Sequence, residues 1–472
     1  MKRNISSLLC GLLLLSACSK LPMEEQRAVE YYSNTFAFNV MNTYYLWKDE
    51  AEVARELDDW GTREDAVQKV KACRYPADRW TTLYEDCTPF ENYVNGSGLT
   101  YGLDYSAYYT DSGKTQVVAV VRFTYADSPA RKAGLKRGDV IETIARQTMD
   151  KENYRSLLGQ LSTSTSIQLG LADGCIVRME AADLYENPVQ TALTFEHNGV
   201  LFGYLHFTNF TLDACKDLET AFAQFKADGI RELVLDLRYN GGGYVITSTA
   251  LASMIAPPEV VARKDIFNID VYNDVLSKDE EDITRFAPEM SYTSKITRQE
   301  VTVKPLEVNP GIQHLWVLVT GESASASEAL ICGLKPYMDV TLVGEKTSGK
   351  FCGGSLIRAD NWFETMEKYN GFDHMDYDAA REALPLWGLY VITSRYSDCN
   401  GVTLSMPDGI AADYDTYDRP LDAVPLGNPE ERMLAATLSL ATGGPAPASV
   451  KSLSARETPL PLPRPGFGVL LH

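Results

Sequence analysis

The sequence predicts an α/β fold (α+β multidomain), and three observations carry that reading. From residue 190 onward, apolar strand-like runs alternate with helical ones: VLFGYLHFTNF, DACKDLETAFAQFKADG and ELVLDLRYNGGG, then LWVLVTGES, ASEALICGLKPY and DVTLVGEKT. Residues from about 95 to 188 read instead as short β-rich segments such as TQVVAVVRFTY, broken by glycine and proline turns. Before them, residues 24 to 90 spread apolar and aromatic side chains among polar ones in the manner of helices. With 45% hydrophobic and 10% aromatic residues, a chain of 472 can build more than one core. Its 44 basic against 64 acidic residues, a net charge of -20, argue against a basic face for nucleic acid or anionic lipid.

The first element is residues 1–17, read as a lipoprotein signal peptide: Lys2 and Arg3 precede an apolar run too short for a permanent membrane span. Leu15-Ser16-Ala17-Cys18 resembles the bacterial lipobox, which implies cleavage before Cys18 and lipidation of that residue. An ordinary signal peptide with an accidental cysteine is the alternative. The expectation is an exported protein, lipid-anchored to the cell envelope. Ser19 and Lys20 after the cysteine, in place of an aspartate, point towards the outer membrane of a two-membrane bacterium. Of nine cysteines, removal of Cys10 and lipidation of Cys18 leave 9 - 2 = 7, an odd and scattered set that suggests no disulfide framework. Cys73 and Cys87 are close enough to pair, and two buried thiols read equally well. No CxxC pair or HExxH is present, so neither a metal nor another cofactor is expected.

Residues 18–92 read as a helical N-terminal domain in which Tyr44, Tyr45 and Trp47 are core residues. Residues 93–188 hold Ser128-Pro129-Ala130, Ala133-Gly134-Leu135 and Gly138-Asp139-Val140-Ile141, a series that resembles a PDZ domain. Physically, Pro129 opens a short helix, Gly134 ends it, and Gly138-Asp139 turns into an apolar strand. The resemblance implies that an extended peptide adds to a sheet edge while backbone amides hold its terminal carboxylate. By position, Gly102, Leu103 and Asp104 form that carboxylate loop. Asp104 has the wrong sign for it, so a peptide-binding and a purely structural role both stand.

The α/β domain occupies residues 189–440. Polar, acidic stretches at about 262–308 and 359–386 are expected to be surface insertions within it. The run DVYNDVLSKDEED lacks the glycine and acidic spacing of a calcium loop and reads as solvated charge. Residues 441–472, rich in proline and serine, read as an extended tail.

The stretch GESASASEAL at 321–330 sets Ser323, Ser325 and Ser327 on a strand-to-helix turn. Ser325 with Glu328 fits a capping box. The same turn suits a nucleophile, because small alanines admit a substrate carbonyl and the free N–H groups of the helix face a developing oxyanion. None of the five histidines, His197, His206, His314, His374 and His472, lies in a recognisable triad motif. A lysine desolvated enough to lower its pKa can act as the base instead, and Lys350 in GEKTSGKF is the candidate. That stretch also has P-loop spacing, but Phe351 stands where a magnesium-binding Ser or Thr belongs.

Taken in order, the helical segment, the PDZ-like segment, the turn DLRYNGGG, the turn SASASE and the later Gly349-Lys350 step resemble the C-terminal processing, or tail-specific, serine peptidases. The resemblance covers nearly the whole chain after residue 18. It implies a layered α/β catalytic domain of the crotonase/ClpP-like type, with Ser325 as nucleophile and Lys350 as general base, 350 - 325 = 25 residues apart. It places the oxyanion hole at the amides of Ala326 and a glycine of the DLRYNGGG turn, Gly242 or, alternatively, Gly241. Implied partners are protein or peptide substrates, extended or unfolded, presented by the PDZ domain. One departure concerns the base: the glutamine usual four residues after the lysine is Gly354 here, which leaves Ser348 or Ser355 to orient Lys350, or leaves it less well held. A catalytically idle peptide-binding scaffold of the same fold is therefore the alternative.

Overall fold

The computed structural model describes residues 23–50, 66–278, 282–445, 458–460, 462 and 469–471. The lipobox and Cys18 lie outside the described residues. Among the described residues, no helix is long and apolar enough to cross a membrane.

A six-stranded sheet forms the centre, in the order Val189–His197, Val200–Phe207, Glu232–Asp236, His314–Val319, Asp339–Gly344, Tyr414–Asp415. The first two strands are an antiparallel hairpin and every later pairing is parallel. Its strands read as near-continuous apolar runs because helices cover both faces. Alternate side chains divide between two cores: Leu233, Leu235, Leu315 and Val317 pack with helices Ala214–Asp228, Val245–Ile255 and Ala326–Leu334, while Val234, Trp316 and Leu318 meet helix Arg432–Ala441 on the other side.

A second sheet runs Gly242–Tyr244, Val469–Leu471, Cys352–Arg358, Gly388–Ser397, Ile266–Tyr272, Ile283–Arg285, with Thr82–Tyr84 also paired to Gly388–Ser397. Helix Met23–Tyr44 packs on this sheet, and Phe36, Val40 and Met41 share one core with Trp362, Phe363, Leu389 and Val391. Among the described residues, the N-terminal helices thus complete this layer and share its core. The two polar stretches expected as surface insertions are also built into it. Residues 266–272 and 283–285 are strands of the sheet, and helix Ala359–Lys368 buries Ala359, Trp362 and Phe363 beneath an otherwise charged surface.

The segment with the PDZ-like motifs forms a third sheet, Leu103–Tyr109, Val117–Thr124, Val140–Ile144, Ser166–Leu171, Ile176–Glu180, around a core that includes Ala107, Val121, Ile141, Leu158 and Leu169. Its strand Leu103–Tyr109 is an edge. Ser128 caps the short helix Pro129–Lys132 by accepting the Arg131 N–H at 3.1 Å, and Gly134 follows it at φ +86°. All seven cysteines of the described residues, Cys73 and Cys87 included, are free thiols.

Candidate active site

The three serines of the 321–330 turn have different surroundings. Ser323 Oγ donates to the Leu237 carbonyl at 2.8 Å and accepts the Thr320 N–H at 3.0 Å. Ser327 Oγ donates to the Asn240 carbonyl at 3.0 Å. These two staple the turn to the neighbouring strand end. Ser325 Oγ is fully buried and has no hydrogen-bond partner. Its backbone sits at φ +59°, ψ -110°, a strained conformation for a residue with a Cβ, at the start of helix Ala326–Leu334. One leg of the capping box is well formed, the Ser325 N–H donating to Glu328 Oε2 at 3.0 Å. The return leg, Oγ towards the Glu328 N–H, falls short of a proper hydrogen bond. The hydroxyl is left unspent.

Lys350 is also fully buried, and its Nζ lies 4.8 Å from the Tyr390 ring centre and 5.5 Å from that of Trp80. Nζ donates to the Tyr390 hydroxyl at 2.8 Å. Burial lowers its pKa from 10.5 to about 8, with only weaker opposing fields from Cys352, Asp78 and Glu328. Neither Ser348 nor Ser355 holds the ammonium; Tyr390 does. Gly354 lies in strand Cys352–Arg358, where any Cβ would collide with the Val391 carbonyl and crowd the Tyr390 ring. The backbone therefore leaves no room for a glutamine at 354, and the polar group that meets the lysine comes from the next strand.

Glu328 joins the two halves. Its carboxylate accepts the N–H groups of Ser325 (3.0 Å), Gly349 (2.7 Å) and Lys350 (2.8 Å) and the Thr347 hydroxyl (2.6 Å). Burial pushes its carboxyl pKa up, against four donors that favour the anion. Sequence reading saw Glu328 only as a cap. Its hold on the lysine loop carries no sequence signal, because it depends on how residues 347–350 fold back. Ser325 Oγ and Lys350 Nζ are positioned by one carboxylate but are not hydrogen-bonded to each other in this state.

The glycine turn differs from expectation at one atom. Gly242 donates its N–H to Asn240 Oδ1 at 2.9 Å, so that amide is already committed. Among the described residues, the Gly241 and Ala326 amides make no such bond, which leaves the alternative glycine as the better donor. Gly243, at φ +139°, lies so close to Phe210 that a Cβ would strike its backbone. The remainder of the turn is structural. Arg238, wholly buried, pairs with Asp236 (2.7 Å), Glu431 (2.8 Å) and Asp418 (2.9 Å).

In the expected carboxylate loop, the Gly102 N–H donates to Thr100 Oγ1 at 2.9 Å, and Leu103 is paired with Thr124. Asp104 lies 3.3 Å from Arg122 Nη1, which also reaches Glu322 at 2.7 Å, three residues before Ser325. His206 is no candidate base: it is buried against Phe123 and Tyr239, and burial lowers its pKa to about 4.

This set of a strained, unpartnered serine, a desolvated lysine and glycine amides lies within residues 201–415, which match the peptidase family S41. The chain is 28% identical over 262 residues to a carboxyl-terminal-processing protease of Synechocystis sp., covering 53% of this chain and 54% of that one. A chloroplastic carboxyl-terminal-processing peptidase of Arabidopsis thaliana is 25% identical over 322 residues, covering 64% and 56%. The chain spans about half the length of the curated relatives it matches. Among solved structures, one of Bacteroides fragilis assigned to the S41 proteases superposes with a TM-score of 0.64 at 21% identity, covering 86% of this chain and 97% of that one. At that identity the likeness is one of fold.

Proposed function

We propose that the protein is a serine endopeptidase that cuts extended or unfolded protein segments through a Ser325/Lys350 dyad. The observation that carries this reading is Ser325 itself, whose hydroxyl is buried, strained and unpartnered while both flanking serines are spent on structure. Neutral Lys350 takes the Ser325 proton as Oγ attacks the scissile carbonyl; the lysine then returns that proton to the leaving amine. The acyl-enzyme is hydrolysed by a water that Lys350 deprotonates. The Ala326 amide and a glycine amide, Gly241 in this reading, hold the oxyanion in both steps. The PDZ-like sheet supplies substrate by strand addition. The names of the relatives, carboxyl-terminal-processing proteases, support substrates cut near their C-termini. Export and anchoring through Cys18 belong to the same reading.

Two contacts favour the idle scaffold: Lys350 Nζ faces Tyr390 and not Ser325, and the Gly242 amide is occupied. The test is casein cleavage by residues 19–472, beside Ser325→Ala and Lys350→Ala. Cleavage abolished in both variants, with unfolding midpoints retained, supports the dyad. No cleavage by the unmutated chain, with peptide binding intact, sinks the peptidase and leaves the scaffold.

A further inference from the structure

The C-terminal segment does not hang free of the fold. Leu460 forms an antiparallel bridge with Ala107, donating its N–H to the Ala107 carbonyl at 2.8 Å, and so adds to the open edge Leu103–Tyr109. Leu460 and Leu462 pack against the core of that sheet. Further on, Val469–Leu471 forms a parallel strand against Gly242–Tyr244, while Leu471 also aligns with Gly354. The other side of Gly242–Tyr244 is taken by Phe210, whose N–H and carbonyl bond Gly242 and Tyr244. The tail therefore fills the one remaining edge of the catalytic glycine strand, on the side towards the strand that follows Lys350.

The edge at Leu103–Tyr109 is suited to a passing strand and not to a chain end. The Gly102 amide is spent on Thr100, whose hydroxyl in turn donates to the buried Glu186 at 2.7 Å. Arg122, which reaches this loop, is engaged by the carboxylates of both Asp104 and Glu322. A terminal carboxylate is unwelcome beside Asp104, whereas Leu460 meets the edge as a mid-chain residue. Antiparallel pairing at Ala107 is the orientation in which a peptide would add to this edge.

We propose that Leu460, Leu462 and Val469–Leu471 act as a built-in pseudosubstrate: they occupy the Leu103–Tyr109 edge and the Gly242–Tyr244 edge, and an external extended peptide must displace them. The effect on turnover rests on the peptidase reading; the docking does not. A cleft lined by Tyr244, Ser355, Ile357 and Phe90 adjoins the residues that flank the tail's last strand, giving a displacing peptide room to continue.

The test uses residues 19–472 carrying Ser325→Ala, with and without Leu460→Pro, which removes the donated N–H without touching the folded body. The probe is a fluorescein-labelled synthetic peptide of residues 455–472, read by anisotropy, alongside hydrogen exchange of the tail amides. Weakening one strand hydrogen bond and a leucine contact should free the edge, so the probe binds the Leu460→Pro chain about tenfold more tightly. Tail amides should be protected in the parent and exchange about tenfold faster in the variant. Equal probe affinity in the two chains, no binding to either, or an unprotected tail in the parent overturns the proposal. With Ser325 intact, Leu460→Pro should raise kcat/KM on casein, and an active enzyme that shows no gain also overturns it. If neither chain cuts casein, the peptidase reading falls while anisotropy and exchange still decide the tail.

Discussion

Lys350 Nζ donates to the hydroxyl of Tyr390 at 2.8 Å; Lys350 leads into the strand Cys352–Arg358, which holds Gly354 and pairs with the strand of Tyr390. The tyrosine occupies the space that a side chain at 354 would need. Tyr390→Phe keeps the ring that walls the lysine and deletes only the acceptor. Under the proposed dyad its kcat should fall by roughly tenfold, well short of the loss from Lys350→Ala. Losing the acceptor disfavours the ammonium, so the rising limb of the pH–rate profile, set by a group near 8, should move to lower pH. A pH–rate profile that keeps its position would remove Tyr390 from this role. Gly354→Gln should not restore anything, since its Cβ meets the Val391 carbonyl; a stable, faster variant would contradict that packing.

Lys350 should make the protein less stable at neutral pH than an apolar residue would. Its folded pKa of about 8 lies below the unfolded 10.5, so between those values the unfolded chain binds a proton that the folded chain has shed. Stability from this group therefore rises as pH climbs through that window, and below it the full penalty of burying the ammonium applies. Lys350→Met should be inactive yet more stable at pH 7 by roughly 1–3 kcal/mol, an advantage that shrinks towards pH 10. Denaturation midpoints at the two pH values check this, and a variant less stable at pH 7 would refute it.

Glu328 accepts four hydrogen bonds, two at each oxygen: Thr347 and Gly349 at Oε1, Ser325 and Lys350 at Oε2. A glutamine has the same shape but must present its NH2 to one pair of donors. Glu328→Gln should lower stability by about 2–4 kcal/mol and, under the proposed dyad, reduce kcat far more than it changes KM, since it unseats Ser325 and Lys350 together. Thermal unfolding and steady-state kinetics read the two effects, and a fully active Gln variant would show that the anion is not needed.

Much of this architecture is legible in the sequence because both faces of the central sheet are buried. Runs such as Leu233 to Leu235 and Leu315 to Val319 are apolar throughout and bracketed by helices with an apolar stripe. The serine turn could be found by its spacing, although Ser323, Ser325 and Ser327 look alike until their partners are known. Helix Ala359–Lys368 was masked by its charges, since only three of its residues carry the burial. Tyr390 lies forty positions after Lys350 and meets it only through strand pairing. The Asn240 carboxamide that takes the Gly242 amide is likewise invisible in a motif that prescribes only glycines. Local pattern reports elements and turns; which donor meets which acceptor is decided by register and loop path.

Arg122 lies on strand Val117–Thr124 of the PDZ-like sheet, and its guanidinium holds Glu322 in the serine turn while stacking 4.4 Å from the Tyr239 ring centre. The contact joins two separate cores through a nearly buried cation, so it should matter more than a surface pair. If the pair acts as a unit, Arg122→Leu and Glu322→Gln should each lower kcat by about tenfold, and the double variant should be little worse than either alone. Arg122→Leu should be the more damaging to stability, because it removes the one guanidinium shared by Glu322 and Asp104. A double-mutant cycle on kcat and on unfolding free energy separates these effects. Additive losses in kcat would mean that the serine turn is held without help from the PDZ-like sheet, and strand addition at Leu103–Tyr109 would then have no route to Ser325 through this pair.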